Sequence, residues 1–252
     1  MTDILEHVQA RSDQVSPQET GADAAFRPSE YTGFLIHAVQ AATAGHPLGR
    51  PLARPLGRVV EIGVGSGAVL ASLAGCGATS LTGTDVDPGA ILATQRLMDS
   101  LGQPVELACG DLWAPLAGRR FDLVLANPPH FPMLAPGYAG RPPQWSFGGP
   151  DGRLVMDQLL RGLPKHLAKD GRAYVVHSAF LGLAATNRLL AERGLAARIV
   201  ASSFMPLAPE KLPVMTPAVL HGAGPEAIQR IGPHTFLRTD VLEISAAGPG
   251  DA

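Results

Sequence analysis

Asn127, Pro128, Pro129 and His130 end an apolar run, residues 121–126, and are residues of the kind that build a site. Proline has no N–H to give a sheet ladder, so a strand through 121–126 must stop at Pro128. In an α/β sheet, the turn beyond a strand's carboxyl end is the usual place for a ligand. The side-chain amide of Asn127 carries both a donor and an acceptor and can read an NH2 group. Pro128 and Pro129 stiffen the turn in advance, which lowers the ordering cost of binding. His130 can stack as a planar ring and, when neutral, accept a proton. By themselves these residues fit a rigid turn and a packed histidine equally well.

A second group lies upstream. Gly63-x-Gly65-x-Gly67 follows a β-branched run, 58–62, and opens a stretch of helical spacing at 68–73. Glycines let a backbone adopt positive φ and come close to a ligand. Free N–H groups at the helix start are expected to face an anionic or polar ligand group. Asp85 closes the next β-like run, where an acid can accept ribose hydroxyls. Asp87, just before Pro88, reads as a turn cap. Gly63, Gly65 and Ala68 also fit the dinucleotide fingerprint, so an NAD-dependent oxidoreductase remains open on the loop alone. Three features separate the alternatives: Glu61 on the first strand, Asp111 after the third, and the Asn127 turn after the fourth.

These residues need a scaffold that brings them to one edge. β-like runs at 58–62, 80–85, 105–108, 122–126, 172–178, 196–204 and 235–245 alternate in the first half with helical spacing at 68–73 and 89–101. Further helices are expected from Ser29 to near Gly45, from Asp151 as N-cap through Leu163, and over 183–193. In the second of these, Leu154, Val155, Gln158 and Leu159 are assigned inward. The pattern predicts an α/β fold: a Rossmann-like, doubly wound, mostly parallel seven-stranded sheet with an antiparallel closing strand. Residues 1–25 read as a flexible arm, 26–245 as the domain, and 246–252 as a disordered tail. Within the domain, 131–150 is too long and too rich in aromatics for a plain connector and reads as a lid. Residues 205–232 read as a Pro-rich insert with a short helix near 226–230.

In combination, the motifs resemble the class I S-adenosylmethionine-dependent methyltransferases. The likeness is carried by 61–67, by Thr84-Asp85-Val86-Asp87-Pro88, by Gly110-Asp111-Leu112 and by 121–129. Their order is similar to the group with an Asn-Pro-Pro-Tyr motif, which includes the release-factor glutamine N5-methyltransferases. Residues 26–32 resemble the segment before that group's first strand. The resemblance implies S-adenosylmethionine as cofactor. Gly63, Gly65 and Gly67 would meet its methionine part and Asp85 its ribose. Val86 and Leu112 would pack on the adenine, with Asp111 on the adenine amino group. Asn127 Oδ1 and the Pro128 carbonyl would hold the two N–H bonds of an acceptor nitrogen, turning its lone pair toward the methyl group. His130 stands where that group has an aromatic residue, and Phe131 follows it.

Composition narrows the partners. The chain has 252 residues and a net charge of −2, with no basic stripe, so RNA or DNA base methylation is less favoured than a protein glutamine, a peptide or a small biosynthetic molecule. Cys76 and Cys109, the two cysteines, read as reduced, buried thiols of a cytoplasmic protein. No metal-ligand spacing, membrane-spanning run or secretory signal is apparent.

Overall fold

The computed structural model describes residues 27–44, 56–135 and 146–248. The expected arm at 1–25, the centre of the expected lid and the end of the expected tail lie outside the described residues.

Helix α1 (Glu30–Ala44) starts where Ser29 caps it, its Oγ accepting the Thr32 N–H at 3.3 Å. The helix buries Tyr31, Leu35, Ala38 and Val39. Then come β1 (Gly57–Ile62), the short α2 (Ala68–Ser72), β2 (Ala78–Asp85), α3 (Pro88–Ser100), β3 (Glu106–Cys109) and β4 (Phe121–Ala126). The second half supplies α4 (Leu154–His166), β5 (Leu167–Ser178), α5 (Leu183–Ala191) and β6 (Leu195–Pro206). It ends with α6 (Pro217–Gly222), β7 (Ile228–Ile231) and β8 (His234–Ala246).

The strands form one sheet in the order β3-β2-β1-β4-β5-β8-β6. β1 to β5 pair in parallel, and β8 runs antiparallel between β5 and β6. Seven strands, mostly parallel with an antiparallel closing strand, were expected. An eighth strand, β7, is added to the sheet: a short helix was expected near 226–230, but 228–231 pairs back on β8 through a turn at Gly232. The turn places Ile228 opposite Leu237, and that pairing outweighs the local helical spacing.

Side chains alternate across the sheet with period two. Val59, Leu123 and Leu125 face a core shared with α1, α2 and α3, whereas Val60, Val124 and Ala126 face a core under α4 and α5. Each fully buried aliphatic side chain contributes roughly 1.5–3 kcal/mol. The inward face of α4 is Met156, Leu159, Leu160 and Leu163. Leu154 and Gln158, expected inside, point outward, because the helix begins two residues later than expected. Its N-cap position is Arg153, and Asp151 instead accepts the Arg153 N–H at 2.9 Å to close the preceding turn. Pro164 sits in the last turn without dividing the helix. The turn expected at 169–171 is an irregular part of β5, opposite a register shift in β4. Cys76 is half-buried and Cys109 exposed, so the second thiol is not a core residue.

Candidate active site

Winding reverses between β1 and β4, and neighbouring strands there lead their loops to opposite sides, opening a crevice at the carboxyl edge. Ile62 is the register partner of both Thr84 and Ala126. The glycine loop, Asp85 and the Asn127 turn therefore leave the sheet side by side. Asp85 is in turn the partner of Cys109, which brings Gly110 and Asp111 to the same edge. A cavity of about 350 Å³ lies there. Glu61, Gly63, Gly65, Asp85, Val86, Asp111, Leu112, Asn127, Pro128, Pro129 and His130 all line it.

Gly67 does not. A Cβ on Gly67 would come within 2.9 Å of the Thr94 side chain, and its φ is +73°, so this glycine serves the close approach of α3. At Gly63 and Gly65 a Cβ would meet nothing within 4 Å, which leaves the space over the loop open to a ligand.

The loop's N–H groups are less available than expected. Gly63 and Val64 both donate to the Thr84 carbonyl, at 2.8 and 3.0 Å. Gly65 donates to Asp85 Oδ2 at 2.9 Å, and Gly67 to the Val64 carbonyl at 2.7 Å. The loop offers a rigid shape more than an anion cradle.

Each acid has its own support. Glu61 is buried, and its Oε2 accepts the Leu70 N–H at 3.1 Å, fastening α2 to β1. Burial pushes its pKa well above the usual carboxylate value. Asp85 accepts from Gly65 with one oxygen and from Asp87 N–H with the other, at 2.9 Å each. A carboxylate has about four acceptor sites, so two remain for a pair of hydroxyls. Burial raises the Asp85 pKa, against the backbone N–H groups that lower it. Asp87 caps α3 through Gly89 N–H at 2.8 Å and lies off the cavity.

Two features suit a planar ligand. Val86 is half exposed at the cavity although apolar. Leu112 holds φ +44°, the one left-handed non-glycine among the described residues. Such strain persists where surrounding contacts impose it, and it clusters at functional sites.

At the opposite end, Asn127 and Pro129 are half-buried and Pro128 and His130 buried. The His130 ring meets Tyr31 edge-on at 5.5 Å and Phe131 at 4.8 Å. Desolvation pushes its pKa down to about 4, assisted by the positive charge of Lys211, so the ring is neutral at neutral pH.

The described ends of 131–150 are tied down. Phe131 and Met133 are buried, and Phe131 pairs with Phe147. The Pro-rich insert closes over them: Met215 bridges Met133, Thr216 N–H donates to the Pro132 carbonyl at 2.8 Å, and Lys211 Nζ stands 3.8 Å from the Phe131 ring centroid. Arg27, Glu30, Tyr31 and Lys211 also line the cavity, and sequence reasoning did not place them there. The resemblance of 26–32 to a family segment was the available signal for the first three. Lys211 had none at residue level.

The fitted groups, two open glycines, a carboxylate with acceptor capacity to spare and an exposed apolar surface beside a strained turn, suit a nucleoside-bearing sulfonium cofactor. Among the described residues no His, Cys, Asp and Glu cluster could hold a metal ion, and no helix is long and apolar enough to cross a membrane.

Comparison with known proteins agrees. Residues 59–136 match the family model described as a methyltransferase domain. A Methanocaldococcus jannaschii protein assigned as a protein N5-glutamine methyltransferase is 30% identical over 149 residues, covering 59% of this chain and 75% of that one. The ribosomal protein uL3 glutamine methyltransferase of Bradyrhizobium diazoefficiens is 37% identical over 125 residues, covering 45% of this chain and 38% of the relative. The release factor glutamine methyltransferase of Geobacter sulfurreducens is 34% identical over 120 residues, covering 45% and 42%. The chain thus matches less than half the length of the last two. By its likeness to the relative it covers to 75%, the chain belongs to the class I S-adenosylmethionine-dependent methyltransferases, in the group that holds the protein N5-glutamine methyltransferases.

Proposed function

We propose that this methyltransferase uses S-adenosylmethionine to methylate the side-chain amide nitrogen of a glutamine in a protein, in the cytoplasm. The observation that carries the reading is a single cavity that joins the glycine loop and Asp85 to Asn127, Pro128 and His130. The activities named for the relatives support glutamine as acceptor, and release factors and ribosomal protein uL3 as substrates to try. The spent N–H groups of the glycine loop weigh against a dinucleotide, whose pyrophosphate asks for them.

The cofactor, when bound, supplies an electrophilic methyl group on a sulfonium. Gly63 and Gly65 leave room for its amino-acid part, Asp85 accepts its ribose hydroxyls, and Val86 and Leu112 flank its base, with Asp111 at the base's amino group. Glu61 acts one step removed, by holding α2 against the loop. An amide nitrogen is a poor nucleophile because its lone pair is delocalised. Fixed acceptors on both N–H bonds turn that lone pair out of conjugation and align it, and Asn127 Oδ1 is one of them. The prolines keep this geometry ready before the acceptor arrives. The insert from 205 to 232 walls the acceptor side through Lys211 and selects the protein that enters. The lid role of 131–150 belongs to the same proposal.

The test is transfer of labelled methyl from S-adenosylmethionine to release factor and to uL3 of the source organism, with the modified residue located by mass spectrometry. Gain of one methyl on a glutamine is expected. Micromolar binding of NAD with none of S-adenosylmethionine would sink the reading.

A further inference from the structure

Pro128 and His130 constrain each other in a way that changes the acceptor site. His130 Nδ1 lies 2.9 Å from the Pro128 carbonyl oxygen. A carbonyl only accepts, so the ring hydrogen is on Nδ1. In a neutral imidazole this leaves Nε2 as a bare lone pair. Nε2 is buried and has no hydrogen-bond partner among the described residues. The residues packed on the ring do not satisfy it. Tyr31 and Phe131 present ring contacts, while Lys211 and His177 act on its charge through space. An unpaired buried acceptor is costly, and one that persists beside a cavity calls for an explanation.

We infer that His130 Nε2, in place of the Pro128 carbonyl, is the second hydrogen-bond acceptor of the amide clamp, working with Asn127 Oδ1. The carbonyl then acts through the ring: by taking Nδ1–H it fixes the tautomer that makes Nε2 an acceptor. His130 touches the substrate, and Pro128 positions His130. This inference rests on the acceptor being an amide and deepens that reading. It sets a requirement on the substrate, since the clamp grips a nitrogen carrying two N–H bonds. A nitrogen already methylated once has only one N–H left, so reaction stops after one methyl. In the transfer the nitrogen–methyl bond forms as the sulfonium–methyl bond breaks, S-adenosylhomocysteine leaves with the bonding pair, and the methylated nitrogen gives one N–H proton to water, so the ring stays neutral throughout.

Two measurements test the inference. In the first, the chain carrying 15N-histidine is titrated with propionamide in the presence of S-adenosylhomocysteine, and His130 is assigned by its loss in His130→Phe. The expected ring is the Nδ1–H tautomer at pH 7, with an Nε2 resonance that moves toward the hydrogen-bonded range as propionamide binds. A ring protonated on Nε2, or an Nε2 resonance unmoved at saturating propionamide, overturns the inference. In the second, His130→Phe and His130→Gln are assayed on release factor and uL3. His130→Phe is expected to lose about 10-fold or more in kcat, with cofactor affinity unchanged, and His130→Gln, whose side chain can accept, to recover part of that loss. A His130→Phe variant with the wild-type rate means that the Pro128 carbonyl serves directly, and the inference falls. If the wild-type chain methylates neither protein, the glutamine-protein reading fails, while the propionamide titration still decides the role of Nε2.

Discussion

At the scale of single residues, two substitutions separate the halves of the cavity. Asn127→Ala removes an acceptor from the clamp but touches none of the loop's internal bonds. It is expected to lower kcat by about 100-fold with cofactor affinity within about threefold of wild type, as read by methyl-transfer kinetics and calorimetry. Asp85→Ala is expected to weaken cofactor binding by about 10- to 100-fold, the loss that follows from removing hydrogen bonds to a charged acceptor. Part of that loss comes from the loop itself, because Asp85 also anchors Gly65 and Asp87. Much of this site was legible from residue types. Asp85, Val86, Asp111, Leu112 and the Asn-Pro-Pro turn all line the cavity. Gly67 was misplaced because spacing cannot tell a glycine that admits a ligand from one that admits a helix. Most of the hydrogen bonds that consume the loop's N–H groups were invisible for a related reason. Those of Gly63, Val64 and Gly65 end on Thr84 and Asp85, and only the sheet register brings those residues near.

At the scale of elements, α4 shows how packing overrides propensity. Gly162 lies in its middle, where alanine would gain about 1 kcal/mol of helix propensity. A Cβ there would collide with the Trp113 indole, which stacks on His166 at 4.5 Å and donates from Nε1 to the Leu159 carbonyl at 3.0 Å. That ring is held on two sides and cannot step away. Gly162→Ala is therefore expected to destabilise the protein by about 1–3 kcal/mol despite the better helix former, measured by urea denaturation. The phase of α4 was misread in sequence because Asp151 looks like an N-cap, whereas the turn it closes at Arg153 delays the helix and rotates its apolar face. The stretch expected as a Pro-rich insert, 205–232, holds α6 and β7. Its contents were not readable, since the pairing of 228–231 with 234–237 depends on a turn at Gly232 rather than on periodicity.

At the scale of the whole molecule, buried histidines couple stability to pH. Desolvation pushes His130 and His177 down to about 4, from an ordinary value of 6.5. Between those values the unfolded chain binds protons that the folded chain refuses, so their contribution to stability falls as pH drops from about 6.5 to 4 and is level above about 7. Each group accounts for roughly 3 kcal/mol across that window. Glu61 and Asp85, with raised pKa values, act in the opposite sense. The histidine contribution is isolated by comparing wild type with the double variant His130→Phe, His177→Gln: the variant's stability is expected to depend less steeply on pH over 4–6.5 in thermal denaturation. The mostly parallel sheet followed from sequence because alternating strand and helix calls for right-handed crossovers; the order of the strands did not. The position of β8 has a further consequence, for synthesis on the ribosome. The cofactor half of the cavity comes from β1 to β3 and the Asn127 turn from β4, all early in the chain. Among the described strands, the last made is the one that lies between β5 and β6. Until it emerges, both of those strands present open edges, and the insert that carries Lys211 hangs from an unpaired β6. A nascent chain can thus assemble a cofactor pocket before it has an acceptor wall. Specificity is the last property to fold.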